Sequence, residues 1–151
     1  MKKLFVVLLS VFLLVACSPA TPAEEETPVE TVKVALLIGN RGDLSFNDSA
    51  VRGVEKAGQD FSNTSINVIE YGEDVANFEP SLLDAADAGY DMIIASSTMV
   101  DLIAQYAPDY PETTFVLFDA SVDYSAGNLG NVYSIIYKAN EPSLLAGFLA
   151  A

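Results

Sequence analysis

From residue 32 onward the chain alternates short β-rich runs with segments of helical periodicity, and this alternation narrows the possible folds more than any other feature. The runs lie at 34–38 (VALLI), 66–71 (INVIEY), 91–95 (DMIIA), 114–118 (TFVLF) and 132–137 (VYSIIY). The first, third and fourth are apolar without alternation, as strands are when both faces of a sheet are covered. Between them, 49–61 carries Ala50, Val54, Ala57 and Phe61 at spacings of three and four, which predicts a helix with one apolar face. Ser45 and Asp48 have the form of a capping box ahead of it. A second helix is expected over 78–88, with Asn77 as its cap, Pro80 in its first turn and Gly89 as its stop. A third is expected over 99–107, ended by Pro108 and Pro111, and a fourth over 141–151 with Pro142 in its first turn. Strands and helices in alternation imply right-handed crossovers and an α/β fold, a doubly wound parallel sheet. The expected strand order is 2-1-3-4-5.

The first thirty residues read differently. Lys2 and Lys3 precede an apolar run over 4–15 that only Ser10 interrupts. The run is shorter than the roughly 20 apolar residues of a membrane-spanning helix, and its form is that of a secretory signal peptide over 1–16. It ends in Leu14-Val15-Ala16-Cys17, which resembles the lipobox of bacterial lipoproteins. That resemblance implies cleavage before Cys17 and acylation of its thiol. Cys17 is the only cysteine, so no disulfide can form within the chain. Residues 18–31, SPATPAEEETPVET, hold too little apolar surface to offset the entropy of ordering. The expectation is a lipid-anchored tether over 17–31 and a folded unit over 32–151. The protein would sit on the cell membrane and face the periplasm or the extracellular side.

Charge removes other classes. The formal net charge is −14, and the leader takes two lysines and no acid with it. Nucleic acid is bound by Lys and Arg neutralising phosphates, so no nucleic-acid partner is expected. A polybasic membrane contact is excluded on the same ground. Catalysis is not expected either: the chain has no histidine, its one cysteine belongs to the lipobox, and no GxSxG elbow occurs. No resident metal or cofactor is expected. Asp119 and Asp123 are paired acids at a strand end, a pattern that is usually just solvated.

Ligands of doubly wound sheets sit beyond the carboxyl ends of the strands. That rule selects the loops at 39–47, 72–77, 96–99 and 119–123. The first, Gly39-Asn40-Arg41-Gly42-Asp43-Leu44-Ser45-Phe46-Asn47, lacks both GxGxxG and the Lys-Ser/Thr of a phosphate loop. It offers Asp43, Phe46 and Asn47 instead, an aromatic beside polar groups, which suits a flat ring. The same residues also fit a local role, with Phe46 as a hydrophobic staple, Asn47 as an alternative cap and Asp43 as a turn residue. Ser97 and Met99, after the third strand, are candidates by position alone.

Three stretches carry a wider resemblance. Gly42-Asp43-Leu44-Ser45-Phe46-Asn47-Asp48-Ser49-Ala50, followed by Gly53, resembles the Asp-x-Ser-Phe-Asn-x-Ser-x-x-x-Gly signature of the basic membrane protein family, which contains PnrA-like purine nucleoside receptors of ABC transporters. Phe115-Val116-Leu117-Phe118-Asp119 is similar to a second family stretch. Asn131-Val132-Tyr133-Ser134 and the run from Tyr137 to Gly147 are similar to a third. The resemblance implies a type I lobe like those of periplasmic binding proteins, the N-terminal one of two lobes that close on a ligand. It implies that Phe46 stacks on a nucleobase, that Asn47 and Asp43 hydrogen-bond the ligand, and that Asp119 lies at the mouth of the cleft. Glu141, Ser143 and Gly147 fit structural roles as helix start, cap and close packing. The implied partners are a nucleoside and the permease and ATPase of an importer. A sugar or another small solute, or a sensor of the same fold, remain the alternatives. The second lobe is expected to lie outside these residues, and one lobe alone is expected to bind weakly because burial is shared between lobes.

Overall fold

The computed structural model describes residues 30–150. The expected signal peptide, Cys17 and nearly all of the expected tether lie outside the described residues. Five parallel strands form one sheet: β1 (Val32–Ile38), β2 (Thr64–Glu70), β3 (Met92–Ser96), β4 (Thr114–Phe118) and β5 (Val132–Ile135), in the order β2-β1-β3-β4-β5. This is the expected fold and the expected order. Among the described residues four helices accompany them: α1 (Phe46–Asp60), α2 (Phe78–Asp87), α3 (Val100–Tyr106) and α4 (Asn140–Ala150). Short 3-10 turns at Val75–Asn77, Ser97–Met99 and Ala107–Asp109 flank α2 and α3. The register pairs Leu36 with Val68 on one side and with Ile94 on the other, so β1 is an interior strand.

Because successive side chains of a strand point to opposite faces, the apolar run of β1 serves two cores. Ala35 and Leu37 join Ile93, Ala95, Phe115 and Leu117 under α2, α3 and the 119–131 connection. Leu36 and Ile38 join Phe118 under Val51 and Val54 of α1. Each fully buried Leu, Ile or Phe contributes about 1.5–3 kcal/mol over its exposed state. Asn131 locks the far end of the first core: its side-chain amide donates to the carbonyls of Ala107, Tyr110 and Thr113, each at 3.0 Å.

Local details depart from the sequence reading. The buried stripe of α1 is Val51 and Val54, whereas Phe61 lies past the helix end and is exposed. Asn77 does not cap α2: its amide donates to the Tyr71 carbonyl at 3.2 Å, and Asp74 caps the preceding turn by accepting the Ala76 N–H at 3.0 Å. Gly89 does end α2, at φ +67°, a conformation that suits a residue without a Cβ. In α4, Ser143 is not the cap but donates back to the Ala139 carbonyl at 2.7 Å, and nothing approaches the position of a Cβ on Gly147. Every residue of α4 is exposed, including Leu144, Leu145, Phe148 and Leu149. No helix among the described residues is long and apolar enough to cross a membrane.

Candidate functional site

The carboxyl ends of β1, β2 and β3 open onto a cavity of about 560 Å³. Strand order puts it there. After β1 the chain winds outward to β2, then returns past β1 to β3, so the connections diverge and leave a crevice at the turning point. Three of the four loops selected from the sequence line it: residues 39–47, the segment following β2, and the start of the 96–99 loop.

The first loop is shaped by two carboxylates. Asp43 Oδ1 accepts the backbone N–H groups of Ser45 at 2.9 Å and Asp48 at 3.1 Å, and its Oδ2 accepts that of Asn47 at 2.8 Å. Asp48 reaches back to the N–H groups of Gly42 at 2.8 Å and Leu44 at 2.9 Å. The bonds from Asn47 and Asp48 satisfy free donors of the helix start, which the Ser45 hydroxyl was expected to do and does not, while those from Gly42, Leu44 and Ser45 pin the loop ahead of it. They also start α1 at Phe46, three residues earlier than its periodicity indicated. The chain turns tightly to allow this, with Gly42 at φ +90° and Leu44 at φ +52°. The Asn47 N–H, and after it that of Ser45, hold the Asp43 carboxyl below its ordinary value of 3.8.

Phe46 and Asn47 therefore stand in the first turn of a helix and line the cavity. The Phe46 ring leans on Phe118, with centroids 5.1 Å apart and planes tilted by 38°, and is still 39% exposed. It also borders a second, apolar cavity of about 430 Å³ between α1 and the sheet. Among the described residues the side-chain amide of Asn47 has no hydrogen-bond partner, while its backbone N–H is held by Asp43. Arg41, at the rim, is tied down: its N–H donates to Glu70 at 2.9 Å, and its guanidinium faces Glu70 at 3.4 Å and Glu55 at 3.5 Å.

The floor was not legible in the sequence. Tyr71 is buried at 6% exposure and packs edge-on against Phe78 with centroids 4.9 Å apart. Its hydroxyl lies 2.6 Å from Thr98 Oγ1, which lies 2.9 Å from Ser96 Oγ. Tyr71, Phe78, Ser96 and Thr98 all line the cavity, as does Ser97, the candidate read from position. Ser96 and Thr98 fall in the loop selected at 96–99, Tyr71 directly precedes the one at 72–77, and Phe78 opens α2.

Two sequence candidates fall elsewhere. Met99 is 0% exposed within the first core, because the 3-10 turn at Ser97–Met99 rotates its third residue inward. It is a core residue and cannot touch a ligand in the cavity. Asp119 ends β4 with φ +60° and is exposed, but it is not part of the cavity wall. β4 lies two strands from β1, about 10 Å away at ordinary strand spacing, so the cavity ends at β3. The Asp123 carboxylate is engaged by the hydroxyl and N–H of Ser125, at 2.6 and 2.9 Å.

The structure is thus a doubly wound α/β lobe with an open crevice at its switch point, walled by an exposed aromatic ring and hydroxyl groups. The family model described as "ABC transporter substrate-binding protein PnrA-like" matches residues 31–151, and the chain belongs to this Bmp family. It is 29% identical over 130 residues to an uncharacterized lipoprotein of Pyrococcus furiosus, covering 83% of this chain and 31% of that protein. It is 28% identical over 153 residues to basic membrane protein A of Borreliella burgdorferi, covering 99% of this chain and 42% of that one. The solved structure of an ABC transporter solute-binding protein from Aeropyrum pernix superposes with a TM-score of 0.68 at 30% identity, over 77% of this chain and 31% of that one. The chain thus spans about a third to two-fifths of the length of the relatives it matches.

Proposed function

We propose that this lobe forms one wall of a cleft that binds a purine nucleoside outside the cell, and that the protein delivers it to the permease and ATPase of an importer. The observation that carries the reading is Phe46. It is a ring fixed at a helix start, backed by Phe118 and open to a cavity of about 560 Å³, within the 300–1,000 Å³ range of small-molecule pockets. A nucleobase stacks on its open side, and the free amide of Asn47 bonds the polar edge. Asp43 holds both in place through the helix start. Asp43 lines the cavity as well and hydrogen-bonds the ligand. The lining carries no free cation among the described residues, Arg41 being paired with two glutamates, which disfavours an anionic ligand. Ser97 is a further polar contact. Acylated Cys17 holds the protein at the membrane, and closure of a second lobe over this wall is the state the permease reads.

Calorimetric titration of the intact protein, purified in mild detergent, with inosine, adenosine and guanosine tests the reading. Saturable binding of at least one supports it. Binding of a free sugar or an amino acid with no response to any nucleoside overturns the substrate class.

A further inference from the structure

We propose that Thr98 is a ligand-contacting residue whose hydroxyl serves as donor or acceptor as the ligand requires, so that the site accepts ligands of either polarity at that point. The inference rests on the nucleoside reading of the cavity. Its basis is the row Tyr71–Thr98–Ser96. The outer two side chains are each 6% exposed, while Thr98 in the middle is exposed and lines the cavity. Its Oγ1 is 2.6 Å from the Tyr71 hydroxyl and 2.9 Å from Ser96 Oγ.

A hydroxyl has one proton and two lone pairs. The row therefore holds three protons and forms two internal bonds, and one proton is always surplus. When Tyr71 and Ser96 both donate to Thr98, the Thr98 proton is free to point into the cavity at a carbonyl-type acceptor. When Thr98 instead donates to one neighbour, it keeps a lone pair for an amino or hydroxyl donor. Both arrangements preserve the two internal bonds, and switching between them requires only rotation of hydroxyl protons. The usual penalty for a mismatched polar edge comes from a fixed donor or acceptor left unpaired. In the second arrangement the surplus proton passes to Tyr71 or Ser96, which also line the cavity, whereas the Asn47 amide presents its donor and acceptor at fixed places.

The test compares inosine, which carries a carbonyl acceptor on its base, with adenosine, which carries an amino donor at the same place. Affinities are measured by calorimetry on the intact protein and on three variants. Thr98→Val strands the Tyr71 hydroxyl, so the Tyr71→Phe/Thr98→Val pair is made as well, removing both groups and keeping the fold intact by circular dichroism. Thr98→Ser restores the hydroxyl. The proposal expects both valine-bearing variants to lose roughly three- to tenfold in affinity for both nucleosides, and Thr98→Ser to stay near wild type. A folded double variant with wild-type affinities, in a protein whose binding is weakened by Phe46→Ala, overturns the role of Thr98 and leaves the nucleoside reading standing. A loss confined to one nucleoside overturns the two-way contact. If the wild-type protein binds neither, the nucleoside reading and this inference both fall.

Discussion

The backbone N–H of Asn47 donates to the carboxylate of Asp43 at 2.8 Å, so one polar residue of the first loop fixes the position of the other. Asp43 does this while also accepting from Ser45 and Asp48, which makes it the cap of α1 as well as part of the cavity wall. Asp43→Ala should lower the melting temperature by a few degrees, in line with the loss of a helix cap, and should weaken ligand binding through misplacement of Phe46 and Asn47. Thermal unfolding and titration of the same variant check both. Unchanged stability with lost binding would assign Asp43 to the ligand alone.

The pH dependence of that cap has a definite sign. The Asn47 N–H, chiefly, depresses the Asp43 carboxyl below its ordinary value of 3.8 in the folded chain. A depressed carboxyl contributes stability that is present above the unfolded value and lost as pH falls through the folded one. The difference in urea midpoint between wild type and Asp43→Asn should therefore be flat from neutral pH down to about that value, and should shrink only below it. A gap that narrows between pH 7 and 5 would contradict the assignment.

Met99 and Ser97 should separate cleanly. Met99 is fully buried, so Met99→Ala should cost about 2–5 kcal/mol of stability. Ser97 is exposed and lines the cavity, so Ser97→Ala should leave stability within about 0.5 kcal/mol. Denaturant unfolding of the two variants reads this directly.

Asn131 opens the third family stretch and is a fold residue. Its amide is shared by three carbonyls at the ends of α3 and β4. Asn131→Ala should cost about 1–3 kcal/mol, the price of leaving partly buried carbonyls without a donor. Asn131→Asp, which presents acceptors to those carbonyls, should cost more.

The sheet was legible because β1, β3 and β4 carry unbroken apolar runs, β1 buried on both faces over Val34–Ile38 and β3 and β4 buried on one face with Ile94 and Val116 half-buried on the other. The crevice followed from the strand order alone. The start of α1 was not legible, because the Ser45 and Asp48 spacing fits a capping box while the cap is Asp43, acting across Leu44 in a left-handed turn. Met99 was misplaced because a 3-10 turn, unlike a loop, sends its third side chain back into the core. Tyr71, Phe78 and Thr98 were missed because their meeting depends on neighbouring strand ends that are distant in sequence.

The most direct measurement is the affinity of the intact protein for a purine nucleoside with Phe46 as wild type, as Tyr and as Ala. Stacking on a base is worth about 1–3 kcal/mol by alanine substitution. Phe46→Ala should therefore weaken binding by roughly ten- to a hundredfold, and Phe46→Tyr should keep it. A Phe46→Ala variant that is folded and binds the nucleoside as tightly as wild type would contradict the central claim that this ring is the platform for the ligand.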